Sequence, residues 1–216
     1  MPLTLKTQAI LFDMDGTLVD SGAVISRVLR RWGDHHGIDR ERIANLPRGQ
    51  RTSDTIAGLA PHLDLKTEVA SLDAAEHGDL EGVTEISGAA KLVAAIPAER
   101  WALVTSADEQ LARLRMTAAG LPLPSLLISG ASVKKGKPSP EGYLLAAERL
   151  GRRPHECVVF EDAPAGVAAG IAAGMRVIGV ASTATREELT ACTAIVSDLT
   201  AVSVTTDGSN LTLTIS

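Results

Sequence analysis

The sequence predicts an α/β protein: a parallel sheet clothed in helices and interrupted once by an inserted helical segment. Three observations carry this. Apolar runs of strand length recur at 9–12, 101–105, 126–129, 158–161, 177–180 and 194–196. Helix-period stretches separate the later ones, at 87–96, 108–119, 140–150 and 163–173. Strict alternation of this kind builds a parallel sheet covered on both faces. The region 21–85 breaks the rhythm and reads as consecutive helices near 23–36, 52–59 and 66–78.

The elements follow in order. The run 9–12 ends in Asp13-Met14-Asp15-Gly16-Thr17, two carboxylates one residue apart followed by turn residues. The insertion leaves near 20–22 and returns near 82–88, where Gly82 and Gly88 serve as a hinge or as plain turns. Residues 1–20 and 86–216 are therefore expected to form one domain and 21–85 a second, helical one. The tail holds alternating runs at 201–205 and 211–215 around Asp207-Gly208-Ser209, a hairpin signal.

Composition bounds the partners. The 216 residues suffice for one good core and a small second domain. Net charge is −5 and no basic cluster stands out, which argues against nucleic acid. No apolar run approaches a membrane span. No charged-then-apolar leader supports secretion. Cys157 and Cys192, far apart, read as reduced thiols in a cytoplasmic protein. His35, His36, His62, His77 and His155 lack metal-ligand spacing and read as surface or capping residues; Trp32 and Trp101 read as core.

The chemistry gathers at strand ends. Asp13 and Asp15 repel unless a cation or a proton is present, so the pair either holds a hard metal or divides into two protonation roles. Thr105-Ser106 precedes a helix start, which suits an anion or a simple cap. In Lys137-Pro138 the proline restricts the backbone before it, which aims the ammonium. Glu161-Asp162 again sets carboxylates side by side, as magnesium ligands or with Asp162 capping the next helix.

Together the order strand–DxDGT, strand–TS, loop–KP, strand–ED closely resembles the phosphatase branch of the haloacid dehalogenase superfamily. The segment from Phe160 to Val167 is similar to that of small sugar and polyol phosphatases. The resemblance implies a Rossmann-like core with an α-helical cap. It implies that Asp13 is the nucleophile, forming an aspartyl-phosphate, and that Asp15 is the acid and base. Mg2+ would be held by Asp13, the Asp15 carbonyl, Asp162 and Glu161. Thr105, Ser106 and Lys137 would hold the phosphoryl group of a small phosphorylated metabolite. Arg48 and Arg51, in a stretch resembling the cap of deoxyglucose-phosphate and glycerol-phosphate phosphatases, would meet the substrate's far end. Arg48 stands where those relatives carry His. The chain is expected to act as a monomer. A phosphomutase and a phosphorylation-controlled binding module are the alternatives.

Overall fold

The computed structural model describes residues 2–208 and 210–216. In chain order the strands are β1 (Leu3–Thr7), β2 (Ala9–Phe12), β3 (Val19–Asp20), β4 (Thr84–Glu85), β5 (Trp101–Val104), β6 (Leu127–Ile128), β7 (Cys157–Glu161), β8 (Arg176–Val180), β9 (Ala194–Val196), β10 (Val202–Asp207) and β11 (Asn210–Ile215). The helices are α1 (Gly22–His35), α2 (Arg40–Ala44), α3 (Thr52–Leu59), α4 (Leu65–His77), α5 (Ala89–Ala94), α6 (Glu109–Ala118), α7 (Glu141–Arg149) and α8 (Pro164–Ala172).

Six strands form a wholly parallel sheet in the order β6-β5-β2-β7-β8-β9. Strand β2 lies in its interior, and its four residues are fully buried. The strand period of two divides them: Ile10 and Phe12 enter one apolar cluster, Ala9 and Leu11 another. Phe12 stacks on Phe160 with ring centroids 5.1 Å apart and meets Trp101 edge-on at 6.1 Å. Each such buried aromatic contributes roughly 1.5–3 kcal/mol by leaving water. Phe12 sits level with Leu103 and Phe160 in the two neighbouring strands. That register sets Asp13, Val104 and Glu161 side by side at the carboxyl edge, where open parallel sheets bind ligands.

Helices α1 to α4 lie within 21–85, and Val24, Val28, Trp32, Ile56 and Leu72 on them are buried in one apolar cluster with residues of the sheet. The two crossings are paired to each other: β3 runs antiparallel to β4, and the Ile86 amide donates to the Leu18 carbonyl at 2.9 Å. These two-residue strands, at the positions read as hinge or turn, are too short for a periodicity signal. Helix α2 was also unexpected. Its five polar-rich residues are started by Asp39, whose side chain accepts from the Glu41 and Arg42 amides.

The tail forms the expected hairpin, β10 with β11; Ser209 of its turn lies outside the described residues. Strand β1 adds to it, giving a three-stranded antiparallel sheet in the order β1-β11-β10. Sequence reading passed over β1 because three of its five residues are exposed and only Leu5 and Thr7 point inward. Trp32 and Trp101 are buried as expected. His36 is the C-cap residue of α1, and its ring bonds to Glu68 at 2.9 Å; His77, in the last turn of α4, bonds to Asp108 at 2.9 Å. No described helix is long and apolar enough to cross a membrane.

Candidate active site

After β2 the chain turns sharply. The Met14 carbonyl accepts from the Leu18 and Val19 amides at 2.9 Å, and the Gly16 amide donates to Val19 at 2.7 Å. Gly16 has φ +87°, and a Cβ there would lie 2.6 Å from Asp162 Cγ and 2.7 Å from Thr183 Cγ2. Only glycine meets both demands, so the fourth letter of the DxDGT motif is a packing requirement of the site.

Asp13 is buried, and its amide donates to the Phe160 carbonyl at 3.0 Å. Lys137 donates to Asp13 Oδ1, to Glu161 Oε1 at 2.6 Å and to the Val104 carbonyl at 3.2 Å. All three acceptors belong to or directly follow adjacent strands. The loop carrying Lys137 is fastened by Glu141, whose carboxylate accepts from the Lys134 and Lys135 amides at 2.8 and 3.0 Å. Glu161 Oε1 also accepts from Tyr143 at 2.6 Å, while Oε2 accepts from the Asp162 and Ala163 amides at 3.2 and 3.4 Å. Glu161 is thus saturated by four donors.

The electrostatics follow from burial. Loss of water pushes Asp13 well above the usual carboxylate range. Lys137 pulls it down, and Glu161 and Asp162 add to the rise. Burial, then the Glu161 charge, pushes Asp162 up to about 7. Burial alone would lower the Lys137 ammonium, but Asp13 and Glu161 together outweigh it and hold its pKa above the ordinary lysine value. Oxygens of Asp13, Glu161 and Asp162 lie within 4.8 Å of one another. Crowded buried carboxylates of this kind are relieved by a divalent cation.

The capping alternatives do not hold. The N-cap position of α8 falls on Ala163, which gives no side-chain cap bond, so Asp162 is free of that role. Its carboxylate instead accepts from Thr17 at 3.3 Å and from Thr183. Helix α6 is capped by Asp108, which accepts from the Leu111 amide at 3.0 Å. Thr105 and Ser106 precede it: Thr105 Oγ1 accepts from the Ala107 amide at 3.1 Å, and Ser106 Oγ donates to the Gly49 carbonyl at 2.7 Å.

The Asp15 carboxylate parts from Asp13. It accepts from Ser21 Oγ at 2.6 Å and takes Arg115 Nη1 between its two oxygens, each at 3.0 Å. Its carboxylate is outside the acidic cluster of Asp13, Glu161 and Asp162. A cavity of about 450 Å³ reaches Asp13, Asp15, Thr105, Ser106 and Asp162 and extends between the inserted helices. Arg48 lines its wall and is exposed.

Arg51 does not line that cavity; it lines a smaller recess with Thr105, Ser106 and Lys137. It pairs with Asp54 through two bonds of 2.7 and 2.9 Å, donates to the Lys134 carbonyl at 3.3 Å and lies against Gly136. It straps the insertion to the loop that carries Lys137. The i,i+3 spacing of Arg51 and Asp54 is the sequence signal for this pairing.

Three contributors escaped sequence reading. Arg115 interrupts the apolar stripe of Leu111, Ala112 and Met116 on α6, an anomaly that signals a buried cation. Tyr143 is the sole tyrosine of the chain. Thr183 follows β8, another carboxyl strand end, where the rule for parallel sheets would have looked.

Comparison with known proteins agrees. Residues 7–174 match the model of the haloacid dehalogenase-like hydrolases. Hexitol phosphatase A of Escherichia coli is 38% identical over 210 residues, covering 93% of this chain and 95% of that protein. Glycerol-1-phosphate phosphohydrolase 2 of Saccharomyces cerevisiae is 40% identical over 196 residues, covering 84% and 78%. Among solved structures, a haloacid dehalogenase family hydrolase from Deinococcus radiodurans with bound phosphate and sodium superposes with TM-score 0.64 at 28% identity, covering 88% of this chain and 90% of that one. Motifs, sheet topology and relatives converge, and the chain belongs to the haloacid dehalogenase-like hydrolases.

Proposed function

We propose that this enzyme is a Mg2+-dependent phosphatase of sugar and polyol monophosphates, working through an aspartyl-phosphate on Asp13. The carrying observation is a buried carboxylate at the carboxyl edge of the sheet, held by a buried lysine and opening on a cavity of metabolite size. In this reading residues 1–20 and 86–216 are the catalytic core and 21–85 the cap.

An Asp13 oxygen attacks phosphorus. The ester P–O bond breaks and Asp15 gives its proton to the departing alkoxide. Water then attacks the acyl phosphate, Asp15 takes a proton from it, and the Asp13 carboxylate is regenerated with inorganic phosphate. Lys137, Thr105 and the Ser106 amide hold the phosphoryl oxygens, whose charge must be offset before an anion can approach. The close carboxylate oxygens of Asp13 and Asp162 fit a hard divalent cation. With the Asp15 carbonyl they would hold Mg2+, which supplies charge neutralisation at the phosphoryl group. Glu161, already saturated, stands behind them and anchors Lys137.

The named relatives are a hexitol phosphatase and a glycerol-1-phosphate phosphohydrolase, which supports an open-chain polyol as the alcohol. A monomer in the cytoplasm completes the reading. The test is phosphate release from hexitol, hexose and glycerol phosphates with and without excess chelator. Mg2+-dependent release is expected and chelation should abolish it. Isomer exchange primed by a bisphosphate would make the enzyme a mutase, and a stable phosphoprotein without turnover a binding module.

The two arginines separate by substrate. Arg48→Ala is expected to raise KM for a hexitol phosphate several-fold while leaving 4-nitrophenyl phosphate nearly unaffected. Arg51→Ala should lower kcat on both, because the Lys137 loop loses its strap. Steady-state kinetics on the two substrates decide; the reverse pattern would reassign the pair.

A further inference from the structure

The proton-transfer residue of this site is held by a side chain that the sequence motifs do not contain. Arg115 Nη1 bridges both oxygens of Asp15 at 3.0 Å each, from the core helix α6. Its Nη2 lies 3.5 Å from Glu76 Oε1, on the inserted helix α4. Arg115 is 2% exposed and Glu76 12%. The next residue on α4, His77, reaches the Asp108 cap of α6 at 2.9 Å. Adjacent residues of the insertion therefore grip both ends of one stretch of α6.

We infer that Arg115, seated by Glu76, is a positioning residue that fixes the Asp15 carboxylate for both of its proton transfers. This rests on the reading of Asp15 as acid and base.

Fold stability alone accounts poorly for Arg115. Its Nε and Nη2 are buried without a hydrogen-bond acceptor among the described residues. A buried guanidinium left partly unsatisfied is costly, and a buried set of charges such as Arg115 with Asp15 and Glu76 is commonly replaced as a whole by apolar side chains of similar volume at little loss. The neighbours on the same stripe, Leu111, Ala112 and Met116, show that apolar packing is what the position otherwise favours. What the guanidinium adds is orientation. A carboxylate held at both oxygens, with Ser21 as a further donor, has one rotamer; an unheld one samples several. Displacement of an acid or base by about 1 Å can cost up to about a hundredfold in rate. The same contact makes the acid and base conditional on the seating of α4, because Glu76 is the group that faces the outer nitrogen.

Rapid-mixing kinetics with 4-nitrophenyl phosphate and Mg2+ test this on Arg115→Met and on Glu76→Gln, which keeps the side-chain shape. The first phosphoryl transfer to Asp13 needs no acid with so good a leaving group, whereas hydrolysis needs the base. Arg115→Met should therefore release about one equivalent of nitrophenolate per site in a burst and then turn over roughly ten- to a hundredfold slower than the parent. Glu76→Gln should show the same burst with a smaller steady-state loss. KM for a hexitol phosphate should stay within about twofold while its kcat falls. Wild-type steady-state rates in Glu76→Gln, or a loss in which burst and steady state shrink together, would overturn the inference. Asp15→Asn run alongside separates the two levels. If it too turns over normally, the acid–base reading fails; if it is slow while both positioning variants are normal, only the role of Arg115 fails.

Discussion

Asp13→Asn is expected to lower turnover by roughly a thousandfold or more while the protein stays folded. The amide is a poor nucleophile, and loss of a group that forms the covalent intermediate is among the largest single losses an enzyme suffers. The fold should tolerate it, because Lys137 keeps Glu161 as its buried partner and one fewer carboxylate relieves repulsion from Glu161 and Asp162. Phosphate release and a thermal melt on one preparation check both halves. An active, clean Asp13→Asn would end the aspartyl-phosphate account.

The second large effect belongs to Lys137→Met. Two losses combine. Asp13 and Glu161 are left as buried carboxylates without their shared cation, and breaking a buried pair costs about 3–5 kcal/mol. The phosphoryl group loses a donor, which costs about a hundred- to a thousandfold in kcat. Added Mg2+ should recover part of the stability, since it offsets the same carboxylates, yet not the rate. Melting with and without Mg2+, beside kinetics at saturating Mg2+, separates the two. A variant destabilised but fully active would restrict Lys137 to a structural role.

How much of this was legible in the sequence depends on what each feature needs. The strand-end motifs are local, and each ends an apolar run whose burial is dictated by composition. Asp13, Thr105, Glu161 and Asp162 were therefore legible in one dimension and are set side by side by register, whereas Lys137 reaches them from a loop. The capping alternatives for Ser106 and Asp162 were decided only in three dimensions, because a cap depends on where a helix starts to within one residue: Asp108 took one cap and Ala163 left the other empty of side-chain bonds. Arg115 was missed because its partners are remote: Asp15 lies 100 residues away. The bond from Arg51 to the Lys134 carbonyl was not legible, because a charged residue at the head of a helix reads alike whether it faces a ligand or a loop. Strand β1 was missed because its partner is the other end of the chain. A strand half open to solvent shows no strong pattern until its neighbour is known.

The most direct measurement is chemical trapping of the intermediate. The enzyme is mixed with a hexitol phosphate and Mg2+, quenched in acid within one turnover, and reduced with borohydride, which converts an aspartyl-phosphate to homoserine. Peptide mass spectrometry then locates the change. The account predicts homoserine at position 13, dependent on substrate, and an unmodified Asp15. Modification at any other residue, or an unmodified Asp13 in an enzyme that is turning over, would contradict it.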